Sequence, residues 1–293
     1  MQILTTPNWQ DYELLDSGDG KRLERFGKYV LLRPDPQCMW RPALSGSTWQ
    51  KADAVFQRKT EDKGVWQYRN TLPEKWLLRY KELAFWIKLT PFKHTGIFPE
   101  QAVQWDFLQN LITSSLSQDA KSPHVLNLFA YTGIASLAMA AAGANVTHVD
   151  ASKPAVTWAR ENQAASKLFD APIRWIVDDA VKFCQREVKR GVKYDGILLD
   201  PPVYGHGPGG EVWNFAKDFP HLLSICKQLL SGNPLFILVN AYAISASALM
   251  LQNVMQDYFG DLNGVIECGE LTLQEKSAGR LVSTGIFSRW KHA

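Results

Sequence analysis

The sequence predicts an α/β protein: a Rossmann-like, mostly parallel seven-stranded sheet with helices on both faces, plus a small amino-terminal β domain. Three observations carry this. From His124 onward, apolar runs of strand length alternate with segments of helical spacing. Before Trp76 there are only short alternating runs separated by Gly, Pro and Asp. The chain has 293 residues, 46% hydrophobic and 21% charged, enough for one large core or two smaller ones and unlike a long disordered segment.

Taken in order, residues 1–90 are expected to form the β-rich domain, with YVLLRP and GVWQYRNTL as strands. The charge excess lies at this end. Residues 1–122 hold 17 Lys and Arg against 14 Asp and Glu, whereas the remainder is balanced at 15 each. Seven of the 11 tryptophans lie there too. The strip GKRLERFGKYVLLRP, with five basic residues and one acidic, has the composition that phosphate contact and base stacking use. The same composition suits a small β domain with Trp inside and Lys outside.

Residues 91–293 read as the second domain. HVLNLFA, NVTHVDA, IRWIVDD, YDGILLD and PLFILVN have the make-up of buried strands. GIASLAMAAAG, SKPAVTWARENQAASKL, AVKFCQREVKR and EVWNFAKDFPHLLSICKQLL have the spacing of helices packed on a sheet. GVIECGELTL and LVSTGIFSRW close the pattern as a strand pair.

Several classes are disfavoured. MQILTTPNWQDY lacks a basic segment followed by an apolar core, and PLFILVNAYAISASALM is too short and too polar to span a bilayer, so a cytoplasmic protein with no membrane partner is expected. Cys38, Cys184, Cys226 and Cys268 are scattered, which argues against disulfides and against a metal site.

The carboxyl ends of the strands hold the chemistry. The first strand runs into Asn127, Leu128, Phe129, Ala130, Tyr131, Thr132 and Gly133, a loop with one glycine where a dinucleotide fold would show GxGxxG. A diphosphate is disfavoured there. A ligand whose only anion is a carboxylate could sit on the helix amino terminus near Thr132 and Gly133, and S-adenosylmethionine is such a ligand. Asp150 ends the second strand 17 residues after Gly133, near the interval at which an acid meets ribose hydroxyls. Asp179 ends the third, where a carboxylate can accept from the adenine amino group, and one of the pair Asp178/Asp179 is expected to be a helix cap. The fourth strand ends in Asp200-Pro201-Pro202-Val203-Tyr204. Its prolines stop the ladder and free nearby acceptors.

LNLFAYTGIASLAMAAAGANVTHVDAS, DDAVKF and LLDPPVYG together resemble the motifs of class I S-adenosylmethionine-dependent methyltransferases, in the branch containing large-subunit (23S) ribosomal RNA methyltransferases. HTGIFPEQAVQW is similar to that branch's segment lying over the cofactor. The resemblance implies S-adenosylmethionine contacts at Thr95, Gly96, Phe98, Gln101, Asn127, Phe129, Ala130, Tyr131, Thr132, Gly133, Asp150, Ala151, Ser152, Asp179, Ala180 and Asp200. It also implies that the β domain engages RNA.

Methyl transfer from a sulfonium needs a nucleophile held in line and shielded from water more than it needs acid catalysis. Asp200, Pro201, Pro202 and Tyr204 are the expected catalytic corner: the acid and a proline carbonyl hold the target edge, the ring stacks on the base, and HGPGG flexes as a lid. Val203 departs from the commoner pattern, in which the aromatic directly follows the second proline. The segment FILVNAYAISAS lacks the cysteine with which carbon-methylating members attack a pyrimidine, so a base nitrogen of RNA, ribosomal RNA above all, is the expected target. The alternatives are a protein or small-molecule methyltransferase and a non-catalytic RNA-binding module with the same fold.

Overall fold

The computed structural model describes residues 1–60, 63–119, 121–242 and 246–293. Ala243, Ile244 and Ser245 of the FILVNAYAISAS segment therefore lie outside the described residues. In chain order the amino-terminal elements are β1 (Gln2–Thr5), β2 (Tyr12–Gly18), β3 (Lys21–Phe26), β4 (Tyr29–Pro34), α1 (Gly46–Trp49), β5 (Ala54–Arg58), β6 (Gly64–Tyr68), β7 (Trp76–Tyr80) and β8 (Leu83–Ile87). A 3-10 turn at Pro99–Gln101 leads into α2 (Ala102–Asp119). There follow β9 (His124–Leu128), α3 (Ile134–Ala141), β10 (Asn145–Asp150), α4 (Lys153–Ala165), β11 (Ile173–Val177), α5 (Ala180–Lys189) and β12 (Gly196–Leu199). The last are β13 (Tyr204–His206), β14 (Val212–Asn214), α6 (Phe215–Leu229), β15 (Phe236–Ala241), α7 (Ala248–Phe259), β16 (Gly264–Gln274) and β17 (Leu281–His292). The chain packs as two units, one of Met1–Leu4, Val103–Leu271 and Thr284–Ala293, the other of Thr5–Ala102 and Thr272–Ser283.

The first unit is built on a sheet of order β1-β16-β17-β15-β12-β9-β10-β11. The seven strands expected from the sequence are all present, and β1 adds an eighth at the β16 edge. β9, β10, β11, β12 and β15 run parallel, and β17 is antiparallel to β15. Both faces of β9, β10, β12 and β15 are covered, so alternate residues feed two cores, whereas the edge strand β11 is only partly buried, with Arg174 and Val177 exposed. Leu126, Leu128, Ile197, Leu199, Ile237 and Val239 pack with Phe183 of α5 and Phe219 and Leu222 of α6. Val125, Leu198, Phe236 and Leu238 pack with Leu108 and Ile112 of α2 and Met139 of α3. That double burial is why the strands read as unbroken apolar runs. The chain order reverses between the neighbours β9 and β12, which places a crevice at their carboxyl ends.

The second unit holds a five-stranded sheet, order β2-β3-β4-β5-β6, and the hairpin β7-β8. The structure corrects the reading of GKRLERFGKYVLLRP as a phosphate-facing strip. Arg22 is only 6% exposed and lies 3.2 Å from Asp35. Arg33 is buried with both Nε and Nη2 donating to Glu24 at 2.7 Å. Arg25 is half-buried and pairs with Glu13, while Lys21 and Lys28 are exposed. Tyr12 donates to Glu24 at 2.8 Å, and the arginines hold that carboxyl down to about 2 against its burial. Tryptophans line the interior: Trp9 and Trp76 are buried, and the Trp49 indole donates to the buried Asp16 at 2.9 Å.

Candidate active site

In the first unit, β9 ends at Leu128 and the chain turns through a loop whose backbone is locally strained. Phe129 and Tyr131 both take left-handed φ values, 55° and 49°, a region that disfavours residues with a Cβ by about 1–2 kcal/mol each. The neighbouring strand β10 holds the turn in that state. Ala130 N–H donates to Val149 O at 3.1 Å, and Tyr131 N–H donates to Asp150 Oδ2 at 2.8 Å. The buried Asn162 amide of α4 donates to Thr132 O at 3.0 Å. Gly133 then opens α3 at φ 79°, where a Cβ would come within 2.8 Å of Ala159 Cβ. Glycine is required there for both reasons.

Asp150 completes the anchor. Its Oδ1 accepts from Ser152 N–H at 2.8 Å, so the last residue of β10 ties the start of α4 to the loop after β9. Burial raises the carboxyl's pKa, and the two amide donors work against that rise. Ala151 is half-buried, and Ser152 caps α4 by accepting from Ala155 N–H. Tyr131's phenol is driven above its ordinary range by burial and by Asp150, and so stays protonated.

Asn127 faces inward, one residue before the strand end. It is 2% exposed, and its amide donates to Ser136 Oγ at 2.8 Å; that oxygen is 3.0 Å from His148 Nδ1. Burial pushes His148 down to about 3, so its ring is neutral.

At the end of β11, Asp179 is the helix cap of the acidic pair: its Oδ1 accepts from Lys182 N–H at 2.9 Å, and Ala180 follows as the first residue of α5. Among the described residues its Oδ2 has no donor. Asp178 instead accepts from Asp179 N–H and pairs with Arg186.

Beside this, the β12 end brings the Asp-Pro-Pro corner to the same crevice. Leu199 is in register with Leu128, and Asp200 N–H donates to Leu128 O at 3.3 Å. Pro201 is buried, Pro202 and Val203 face solvent, and the Tyr204 side chain is 56% exposed. HGPGG, read as a lid, is the turn of the hairpin β13-β14, in which Tyr204 pairs with Asn214 and His206 with Val212. Glu211 fastens that turn, accepting from Gly209 N–H and pairing with Lys182. The segment VWN is thus strand, and the helix expected there starts only at Phe215, capped by Asn214. Trp213, absent from the sequence-derived site, turns inward: its indole donates to Pro202 O at 2.7 Å and its ring lies 4.9 Å from Phe129. Its only signal in the sequence was an aromatic after a glycine-rich turn.

Thr95, Gly96, Phe98 and Gln101 belong to the second unit. There the Thr95 side chain is buried, Lys88 N–H donates to Thr95 O at 3.2 Å, Gly96 has φ 97°, and Gln101 N–H closes the turn on Phe98 O at 3.0 Å. Glu100, within that turn, is buried and pushed up to about 7. Among the described residues no group of three or more side chains could hold a metal ion, and no helix is long and apolar enough to cross a membrane.

Comparison with known proteins agrees with this arrangement. Residues 106–208 match the family model described as Conserved hypothetical protein 95. Ribosomal RNA large subunit methyltransferase K/L of Shewanella frigidimarina is 32% identical over 204 residues, 68% of this chain but 27% of that protein, so the chain spans about a quarter of the length of such relatives. A putative methyltransferase crystallised in complex with SAH has the same fold, with TM-score 0.73 and 21% identity over 98% of this chain and 76% of that one. The crystal structure of the SAM dependent methyltransferase from Agrobacterium tumefaciens superposes with TM-score 0.95 at 44% identity, covering 100% of this chain and 94% of that one. A likeness of that depth over nearly the whole of both chains settles the family: the chain belongs to the S-adenosylmethionine-dependent methyltransferases, and S-adenosylmethionine is its cofactor.

Proposed function

We propose that the chain transfers a methyl group from S-adenosylmethionine to a nitrogen of an RNA base, with ribosomal RNA as the substrate. The observation that carries this is the Asp200–Tyr204 corner at the switch point of the sheet, where an acid and an exposed ring stand beside the loop anchored by Asp150. Relatives named as ribosomal RNA large subunit methyltransferases support the substrate class.

The residues fit the cofactor. Each Asp150 oxygen accepts one amide N–H and keeps acceptor capacity for a ribose hydroxyl, and Asp179 Oδ2 has an open position for the adenine amino group. The loop's single glycine offers no diphosphate cradle. When bound, the cofactor supplies a methyl group already activated on a sulfonium.

The chain's task is positioning. Trp213 occupies the Pro202 carbonyl, so of the two proline carbonyls we assign that of Pro201, with the Asp200 carboxylate, to orienting an amino group, while Tyr204 stacks on the base. All four cysteines are buried, which supports nitrogen over ring carbon as the target. We assign RNA engagement to residues 1–90 and methyl transfer to residues 91–293, in the cytoplasm. The test is incubation with unmodified large-subunit ribosomal RNA transcript and labelled cofactor, followed by mass spectrometry of nucleosides. An N-methylated nucleoside is expected; a 5-methylpyrimidine, or label appearing only in protein or small molecules of an extract, overturns the reading.

A further inference from the structure

We infer that Trp213 is a positioning residue that couples the cofactor loop to the target corner, an inference that deepens the proposed RNA methylation. Hairpin β13-β14 has two faces. Tyr204, His206, Val212 and Asn214 alternate outward and are all exposed, with Val212 57% accessible. Gly205 and Trp213, which are paired across the strands, form the inner side. Trp213 is 4% exposed and makes two contacts of different kinds. Its Nε1 donates to Pro202 O at 2.7 Å, inside the target corner, and its ring packs on Phe129, the left-handed residue that starts the cofactor loop, with centroids 4.9 Å apart.

The Pro202 carbonyl has little choice of partner. The second proline lies beyond the end of β12, and the turn it belongs to has no ladder to join. The indole N–H satisfies it and fixes the peptide between Pro202 and Val203. Phe215 N–H holds the next carbonyl, Val203 O, at 2.9 Å. Together these bonds set the direction in which Tyr204 leaves the corner, and the Phe129 contact refers that direction to the loop rather than to solvent. A nucleophile misplaced by about 1 Å loses on the order of a hundredfold in rate, so a tether of this kind acts on turnover more than on binding.

Trp213→Phe separates the two contacts by keeping a ring against Phe129 and removing the donor. The expected result is a fall in kcat of about tenfold or more on ribosomal RNA transcript, with KM for S-adenosylmethionine and the Kd for S-adenosylhomocysteine within about twofold of wild type. Faster amide exchange at Val203, Tyr204 and Gly205 should accompany it, with Tyr131 to Gly133 still protected. Unchanged kcat, a loss matched by an equal loss of S-adenosylhomocysteine affinity, or unchanged exchange at Val203–Gly205 would each overturn the coupling. If wild type methylates no RNA, the substrate reading fails on its own, and the exchange and affinity measurements still decide the role of Trp213.

Discussion

Tyr131 and Asp150 are joined by a backbone-to-carboxylate hydrogen bond of 2.8 Å that fastens the loop after β9 to the end of β10. Asp150→Ala removes that acceptor together with the proposed ribose contact. S-adenosylhomocysteine affinity should fall tenfold or more, since a hydrogen bond to a charged group contributes about 1.5–3 kcal/mol. Asp150→Asn retains one acceptor oxygen and should fall between. Calorimetry on folded proteins checks both, and wild-type affinity in the Ala variant would remove Asp150 from the site.

Asp200 and Tyr204 should behave differently from Asp150. If they orient the target as proposed, Asp200→Ala and Tyr204→Ala are each expected to lower turnover about a hundredfold while the cofactor still binds. Tyr204→Phe keeps the ring and should keep most of the rate. Single-turnover methylation beside calorimetry separates these effects.

His148 makes the first unit sensitive to acid. Its folded pKa, about 3, lies below the ordinary value of 6.5, so between these limits the unfolded chain holds a proton that the folded chain does not. Stability from this group is complete above pH 6.5 and declines as pH falls, by up to about 1.4 kcal/mol per unit. Glu100 acts in the opposite sense: its folded pKa of about 7 makes stability decline as pH rises from 4.5 through 7. Urea midpoints of wild type and His148→Asn at pH 7 and pH 5 isolate the histidine. The variant should lose about 2 kcal/mol less on acidification, and parallel losses would show that His148 titrates normally.

The buried arginines predict a stability defect where an RNA defect was expected from composition. Arg33→Met leaves Glu24 in the interior without its bidentate partner, and Arg22→Met exposes Asp35 to the same deficit. Removing one member of a buried pair costs about 3–5 kcal/mol. Denaturant unfolding should reveal that loss. An unchanged midpoint with weakened RNA binding would return both residues to the surface role.

Replacing Cys38, Cys184, Cys226 and Cys268 by Ala should lower stability but leave methyl transfer intact, since all four thiols are buried. A hydrogen bond with Cys226, together with burial, raises the Cys184 thiol above its ordinary pKa, and burial raises that of Cys38, against any nucleophilic role. Trapping with a mechanism-based pyrimidine analogue should give no covalent RNA complex. An adduct lost in Cys226→Ala would move the chemistry to ring carbon.

The strand ends were legible because a parallel sheet buried on both faces writes itself as apolar runs, and each run stops where an acid or proline meets solvent: Asp150, Asp179, Asp200. What escaped depends on partners distant in sequence. β1 is four residues long and carries no period of its own. Arg33 and Glu24 look like surface charges until β3 and β4 pair and close them in. Val212–Asn214 carries the apolar spacing of the helix that follows it, and only pairing with Tyr204–His206 makes it a strand. Trp213 was silent because its acceptor is a main-chain carbonyl, which no side-chain pattern announces.

The strand pairing bears on the order in which the chain can fold during synthesis. β1 waits for β16, more than 250 residues later, and β15 waits for β17. The second unit waits as well, because Thr272–Ser283 belongs to it: Ser277 donates to the buried Asp16 at 2.7 Å, and Glu275 is the partner of Ser17. A nascent polypeptide that has reached residue 270 therefore holds two unfinished units and a sheet with open edges. Such long-range closure is slow and leaves sticky intermediates. Ribosome-bound chains of that length should resist proteases poorly at both ends, and protection should arrive in both units together once residues 272–292 have emerged.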